Sequence, residues 1–223
     1  TDSWRRSLLD AHVLTHQSVV CARATETNST SRLRSYDLPH EPYVGVPPTI
    51  TQAAMATSAA VSFFDPVQIG ARTYVDAGLG TNNPVDEVED DACEIWCRQS
   101  GLGELQTRTR CFISIGTGHP GNKPISDKVH KFLLHTLRDI ATETETTARK
   151  SEHKWRKQMD TDKYFRFNVD HGLSDVGLEE YAKEGIMESV TDTHLRQRRI
   201  QIDLDNCTRA LASKQCVCVM DFS

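Results

Sequence analysis

Short continuous apolar runs alternate along the chain with stretches whose apolar residues recur every three or four positions. Ser18-Val19-Val20-Cys21-Ala22 predicts a short buried strand, followed by a polar loop from Glu26 to Ser31. Leu33-Arg34-Ser35-Tyr36 is the candidate return strand, closed off by Pro39, Pro42, Pro47 and Pro48. Thr49-x-x-Gln52 has the form of a capping box opening a short helix rich in alanine (Ala53, Ala54, Ala56, Ala59, Ala60). Strands at Val67–Ile69 and Thr73–Val75 follow, with Gly70 in the turn between them. Asn83 suits an N-cap and Pro84 the first helical position, while Asp86 and Glu87 complement the positive end of the helix dipole. That helix is expected to bury Val85, Val88, Ala92, Ile95 and Trp96 and to stop before Gly101. Cys111 to Ile115 predicts a buried strand leading into Gly116-Thr117-Gly118. Ser126 could cap a long helix with the stripe Val129, Phe132, Leu133, Leu137 and Ile140, continuing polar through Thr142 to Asp160. Tyr164–Val169 is a further strand, and Ile200, Leu204, Cys207 and Leu211 mark a last helix. Apolar strands alternating with amphipathic helices predict an α/β fold with a mainly parallel sheet covered on both faces.

Composition narrows the function classes. The chain has 223 residues, with 26 Lys+Arg against 31 Asp+Glu and a net charge of −5. This fits one domain with or without a tail, and the absence of a basic stripe argues against nucleic acid as a partner. No apolar run approaches the roughly 20 residues of a membrane-spanning helix. Thr1 is followed by no charged-then-apolar leader, and the missing initiator Met suggests a piece of something longer. Seven cysteines at irregular spacing fit reduced intracellular thiols better than a disulfide framework. No cysteine or histidine spacing predicts a metal site. Asn28-Ser29-Thr30 and Asn206-Cys207-Thr208 match the glycosylation pattern, with no secretory signal in support.

The densest chemistry lies in Tyr74-Val75-Asp76-Ala77-Gly78-Leu79-Gly80-Thr81-Asn82-Asn83-Pro84. The pattern is strand, tight turn and helix, with a carboxylate at the strand's carboxyl end, where open α/β sheets place their chemistry. The alternative is that Asp76 merely bonds the amides of its own turn. Gly116-Thr117-Gly118-His119-Pro120-Gly121 matches a dinucleotide fingerprint, but Pro120 and Pro124 oppose the helix it must enter. Arg149, Lys150, Lys154, Arg156 and Lys157 surround Trp155, a composition suited to anionic lipid. These cations wrap around the helix, so a solvated surface helix is the simpler reading.

Several segments, in order, resemble the C-terminal half of the patatin-like phospholipases, especially fungal members. They are Ala56-Thr57-Ser58-Ala59-Ala60, Phe63-Phe64-Asp65-Pro66-Val67, Tyr74 to Val85, Ile95-Trp96 and Ile113 to Gly118. Further matches run through Ile140 to Glu145, Tyr164 to Val169, and Gly172-Leu173 to Glu180. The resemblance implies a three-layer α/β/α fold whose N-terminal part is missing, with residues 1–212 in the domain and 213–223 as a tail. It implies a Ser–Asp dyad hydrolysing phospholipid or related acyl esters without cofactor or metal, in a cytoplasmic protein with possible peripheral membrane contact and possible further domains. Asp76 falls on the dyad Asp, with Ala77 and Gly78 in the active-site turn. Ala77 replaces the family's usual Gly, which predicts strain or displacement there, and Val61 replaces the usual Pro. The nucleophile is absent: no G-x-S-x-G and no Gly-rich oxyanion loop occurs, and the first glycine is Gly45. In Gly172-Leu173-Ser174-Asp175-Val176-Gly177 the second Gly is three residues after Ser174, one too many for an elbow. A lipid acyl hydrolase lacking its Ser in this chain is the leading reading. A non-catalytic interaction or signalling module of the same fold is the second, and a nucleotide-binding protein a distant third.

Overall fold

The computed structural model describes residues 17–39, 46–61, 63–97, 101–119, 131–173, 176 and 181–213. The chain divides into two compact units, residues 1–105 with 129–149 and residues 106–128 with 150–223.

The first unit is organised by two hairpins. Strand β1 (Val19–Ala24) turns back through Thr25–Asn28 into β2 (Ser29–Arg34), with Asn28 at φ 53°. Helix α1 (Ile50–Thr57) follows, then β3 (Val67–Ile69) and β4 (Arg72–Asp76), joined across Gly70 at φ 61°. The sheet order is β2-β1-β4-β3, and every pairing in it is antiparallel. The expected mainly parallel sheet is therefore corrected here. Connections of a few residues can join only antiparallel neighbours, because a parallel pair needs a crossover of a dozen residues or more. The α/β character itself stands.

Register sorts the side chains onto two faces. Ala22 opposes Asp76, Ala24 opposes Tyr74 and Val20 opposes Leu33. Of these, Val20, Ala22, Ala24, Leu33 and Tyr74 pack with Ala53 and Ala56 of α1 and with Ile69 in one core. Alanine on both sides lets helix and sheet approach closely. The α1 capping box forms as expected: Thr49 Oγ1 accepts from Gln52 N–H at 3.1 Å, and Gln52 Oε1 accepts from Thr49 N–H at 3.0 Å.

The opposite face of the sheet meets helix α3 (Val85–Trp96), after a one-turn helix α2 (Gly78–Thr81). This contact is ionic. Arg34 binds Asp91 through two bonds of 2.7 and 2.8 Å, Tyr36 Oη donates to Asp91 Oδ2 at 2.7 Å, and Arg32 reaches both Asp91 Oδ1 at 2.8 Å and Glu87 at 3.2 Å. The expected apolar face of α3 is corrected accordingly. Val85 is buried, but Val88 and Trp96 are exposed, while Glu89 and Asp91 turn inward. Burial alone pushes the Asp91 carboxyl up, yet the hydrogen bonds from Arg34 and Tyr36 and the charges of Arg34 and Arg32 win and hold it below its ordinary value. The Cys21 thiol, beside the same network, is raised to about 11 by burial and then by the Glu87 charge.

In the second unit, β5 (Phe112–Ile115) and β6 (Tyr164–Phe167) pair in parallel, Phe112 opposite Tyr164 and Ile115 opposite Phe167. Helix α4 (Gly101–Arg108), which belongs to the first unit as far as Leu105, precedes β5; the long helix α5 (Lys131–Lys154), which belongs to the first unit as far as Arg149, and short α6 (Arg156–Met159) precede β6. Trp155 is fully buried, edge-on to Phe112 at 4.9 Å and stacked on Tyr164 at 5.8 Å between ring centroids. Ser151 Oγ lies 3.2 Å from Tyr164 Oη beneath this cluster. β5 is less buried than expected, with Ile115 exposed. Helices α7 (Glu184–Leu195) and α8 (Arg198–Ala212) close the unit; α8 buries Ile200 and Cys207 but leaves Leu211 exposed.

Asp91→Asn should lower stability by about 3 kcal/mol, near the low end of the cost of breaking a buried ion pair, because both arginines keep some solvent contact. Denaturant midpoints at several pH values check it. The folded carboxyl titrates below the unfolded value of about 3.9, so its contribution is present above that pH and fades as pH falls through the folded value. The gap between wild type and variant should therefore narrow in strong acid; a gap unchanged down to about pH 2 would contradict the assignment.

Candidate active site

Asp76 is the last residue of β4, at the strand's carboxyl end. Its N–H donates to Ala59 O at 2.9 Å, which ties the strand end to the segment leaving α1. Asp76 Oδ1 accepts from Gly78 N–H at 2.8 Å, so the side chain does bond its own turn. Oδ2 has no hydrogen-bond partner among the described residues. The half-buried carboxylate is thus fixed by one oxygen, and the other is unbonded among the described residues.

The turn beyond it is held from several sides. Ala77 is buried at φ −81°, ψ 3°, a conformation open to any residue, so the strain expected from Ala in place of Gly is not found. Gly78 starts α2; a methyl there would stand 3.4 Å from Asp76 Oδ1. The left-handed residue is Gly80, at φ 103°. Arg23 of β1 reaches over the turn, donating from NH1 to Leu79 O and from Nε to Asn28 Oδ1 at 2.8 Å. Thr30 and Thr81 hydroxyls meet at 2.6 Å, and Asn82 Nδ2 donates to Thr144 Oγ1 at 2.9 Å. The N-cap of α3 falls on Pro84, one residue later than expected, although Asn83 Oδ1 still accepts from Val85 N–H at 3.3 Å. Asn83 Nδ2 is buried with no partner among the described residues. Sequence reasoning spent Asn83 on capping and missed this spare donor; only its place just after the Asp76 turn hinted at it.

The other sequence candidates have local explanations of their own. The Gly116–His119 loop spends its amides on its neighbour: Gly116 N–H bonds Phe167 O at 2.9 Å, His119 N–H bonds Val169 O at 2.8 Å, and Gly118 N–H bonds Asn168 Oδ1 at 2.8 Å. A side chain at position 116 would collide with Asn168 Oδ1, which explains that glycine without a nucleotide. Trp155 is core, so it cannot be the aromatic centre of a lipid-contacting patch, although Arg149, Lys150, Arg156 and Lys157 are exposed. Ser174, with Asp175 and Gly177, lies outside the described residues. Among the described residues, no helix is long and apolar enough to cross a membrane and no His/Cys/Asp/Glu group could hold a metal ion.

Residues 4–88 match the family model of the patatin-like phospholipases. The matched segment runs from before β1 into α3 and includes Asp76, Ala77 and Gly78. It supports that family, and with it a hydrolase kind of activity, over less than half of the chain. No curated protein matches.

Gly80→Ala should destabilise the protein by about 1–3 kcal/mol, the cost of forcing an L-residue into a sparsely populated backbone region. Ala77→Gly removes a buried methyl from an unstrained position and should also destabilise rather than relax the turn. Thermal melts of the two variants check both signs.

Proposed function

We infer that the chain carries the base half of a lipid acyl hydrolase site, with Asp76 as the carboxylate of a Ser–Asp dyad. The observation that supports this most directly is the Asp76 geometry. One oxygen is pinned by Gly78 N–H, and the other, at the carboxyl edge of a strand, has no partner among the described residues. A serine hydroxyl is a weak nucleophile until a nearby base takes its proton, and a positioned, partly desolvated carboxylate can serve. The substrates are phospholipids or related acyl esters, attacked through an acyl-serine intermediate that water then cleaves. Exposed Val61, Phe63, Phe64 and Leu79, on the segments that flank the Asp76 backbone, suit an apolar substrate. The resemblance beyond residue 88, its correspondence to the C-terminal half and its fungal character belong to this proposal.

The second reading is a non-catalytic interaction module of the same fold. It is favoured by one fact: these 223 residues contain no G-x-S-x-G. The chain by itself should accordingly give no turnover of a nitrophenyl ester above background. Turnover by contaminant-free protein would remove the argument for an absent serine and bring Ser174 back.

Placed in one polypeptide with a G-x-S-x-G segment of this family, the chain should support acyl-ester hydrolysis. Asp76→Asn should then cut kcat by about 10²–10⁴, the usual worth of a general base, at an unchanged melting temperature. Asn retains the acceptor oxygen for Gly78 N–H but cannot take the serine proton. A stable Asp76→Asn protein with wild-type turnover would take Asp76 out of the mechanism.

A further inference from the structure

A concave site lies wholly within the second unit, where the amino-terminal ends of β5 and β6 meet the last turns of α8. It is a cleft of about 270 Å³ lined by Arg110, Lys163, Asn206 and Arg209 together with Thr161 and Asp162. Arg110 stands two residues before β5, and Lys163 immediately precedes β6. The parallel ladder sets them side by side, because Phe112 N–H bonds Lys163 O at 2.7 Å. Among the described residues, none of the three cations has a carboxylate within ion-pair distance.

The one acidic group lining the cleft among the described residues is already engaged. Asp162 sits in the left-handed region at φ 54°, and its Oδ1 accepts from Asn206 Nδ2 at 2.8 Å. Asn206 Oδ1 in turn accepts from Arg209 NH2. This chain of bonds holds the Arg209 guanidinium at the rim before any ligand arrives, which lowers the ordering cost of binding. The carbonyl end of α8 opposes an anion, but among the described residues three cations against one bonded carboxylate leave the cleft positive. The Thr161 and Ser213 hydroxyls donate to Lys157 O at 3.0 Å and Ala210 O at 2.8 Å, so the donors of the cleft are its cations.

We propose that this cleft binds a phosphate group, taken either from the headgroup of an anionic phospholipid or from a soluble phosphomonoester. A planar guanidinium fork offers paired N–H donors to phosphate oxygens, and an ammonium adds a point charge, the combination that phosphate recognition uses. The volume exceeds what the phosphate alone requires and leaves room for the first atoms of its ester substituent. The proposal is independent of the acyl hydrolase reading, since it concerns binding by the second unit and needs neither Asp76 nor a nucleophile.

The test is calorimetric titration of the purified protein with inorganic phosphate and with glycerol 3-phosphate, alongside co-sedimentation with phosphatidylcholine vesicles with and without phosphatidic acid. Both phosphates should bind saturably at millimolar concentration or below. The double variant Lys163→Gln/Arg209→Gln should weaken binding at least tenfold. Arg149→Gln/Lys150→Gln, which removes the same charge from an exposed stretch of α5, should leave it unchanged. Asn206→Ala keeps every charge yet removes the strut, and should weaken phosphate binding several-fold at an unchanged Arg149→Gln/Lys150→Gln control. It also carries the test should the double variant fail to fold. Phosphatidic acid-dependent sedimentation lost in the same variants identifies a lipid headgroup as the source; phosphate binding without it identifies a soluble phosphomonoester. Absence of saturable phosphate binding, or equal weakening by both double variants, overturns the proposal.

Discussion

The Asp91 carboxylate is the constraint on which the first unit depends. It gathers Arg32, Arg34 and Tyr36, all from β2 and the residues just after it, onto one position of α3. A charge buried this deeply is costly unless every lone pair is answered, and here four donors answer it. The result is a docking contact that tolerates little sliding. An apolar face could shift along the sheet by a fraction of a turn at small cost; a bidentate arginine pair cannot. The turn carrying Asp76 lies between the sheet and that helix, so its two ends are anchored by rigid partners. Arg23 then fixes the middle of the turn through the Leu79 carbonyl.

Much of the local structure was legible because it rests on local chemistry. The Thr49–Gln52 capping box, the Gly70 hairpin and the strand ending at Asp76 are each encoded within a few residues. What misled the reading was tertiary. β2 begins at Ser29, four residues before the expected return strand, because its alternation is of polar residues whose inward members are arginines. The same network reversed the burial of α3, where Glu89 and Asp91 occupy positions that periodicity reserves for apolar side chains. Strand direction is set by loop length: the alternation of strands and helices points to a parallel sheet, but both tight turns admit only hairpins.

The candidate sites differ in the same way. Asp76 was findable because strand, carboxylate and glycines are contiguous. The clamp from Arg23 was not, since β1 lies some fifty residues earlier. The cationic cleft had no sequence signal at all. Arg110, Lys163 and Arg209 are scattered singly among ordinary surface charges, and only the β5–β6 ladder and the packing of α8 assemble them. Conversely Trp155, conspicuous among five cations, is a core residue whose ring packs between Phe112 and Tyr164.

The four-stranded sheet consists of two hairpins sewn together by one seam, the pairing of Ala22, Arg23 and Ala24 with Asp76, Val75 and Tyr74. Hairpins close within about 1–10 μs, whereas contacts between residues far apart in sequence must first overcome the entropy of a long loop. The seam therefore forms late, and it is the part of the sheet that opens first when the hairpins separate. Asp76 sits in the seam, so its carboxylate reaches its working position only when both halves have joined. The order of assembly ties the candidate base to completion of the fold: a partly folded chain holds both hairpins but presents no positioned base.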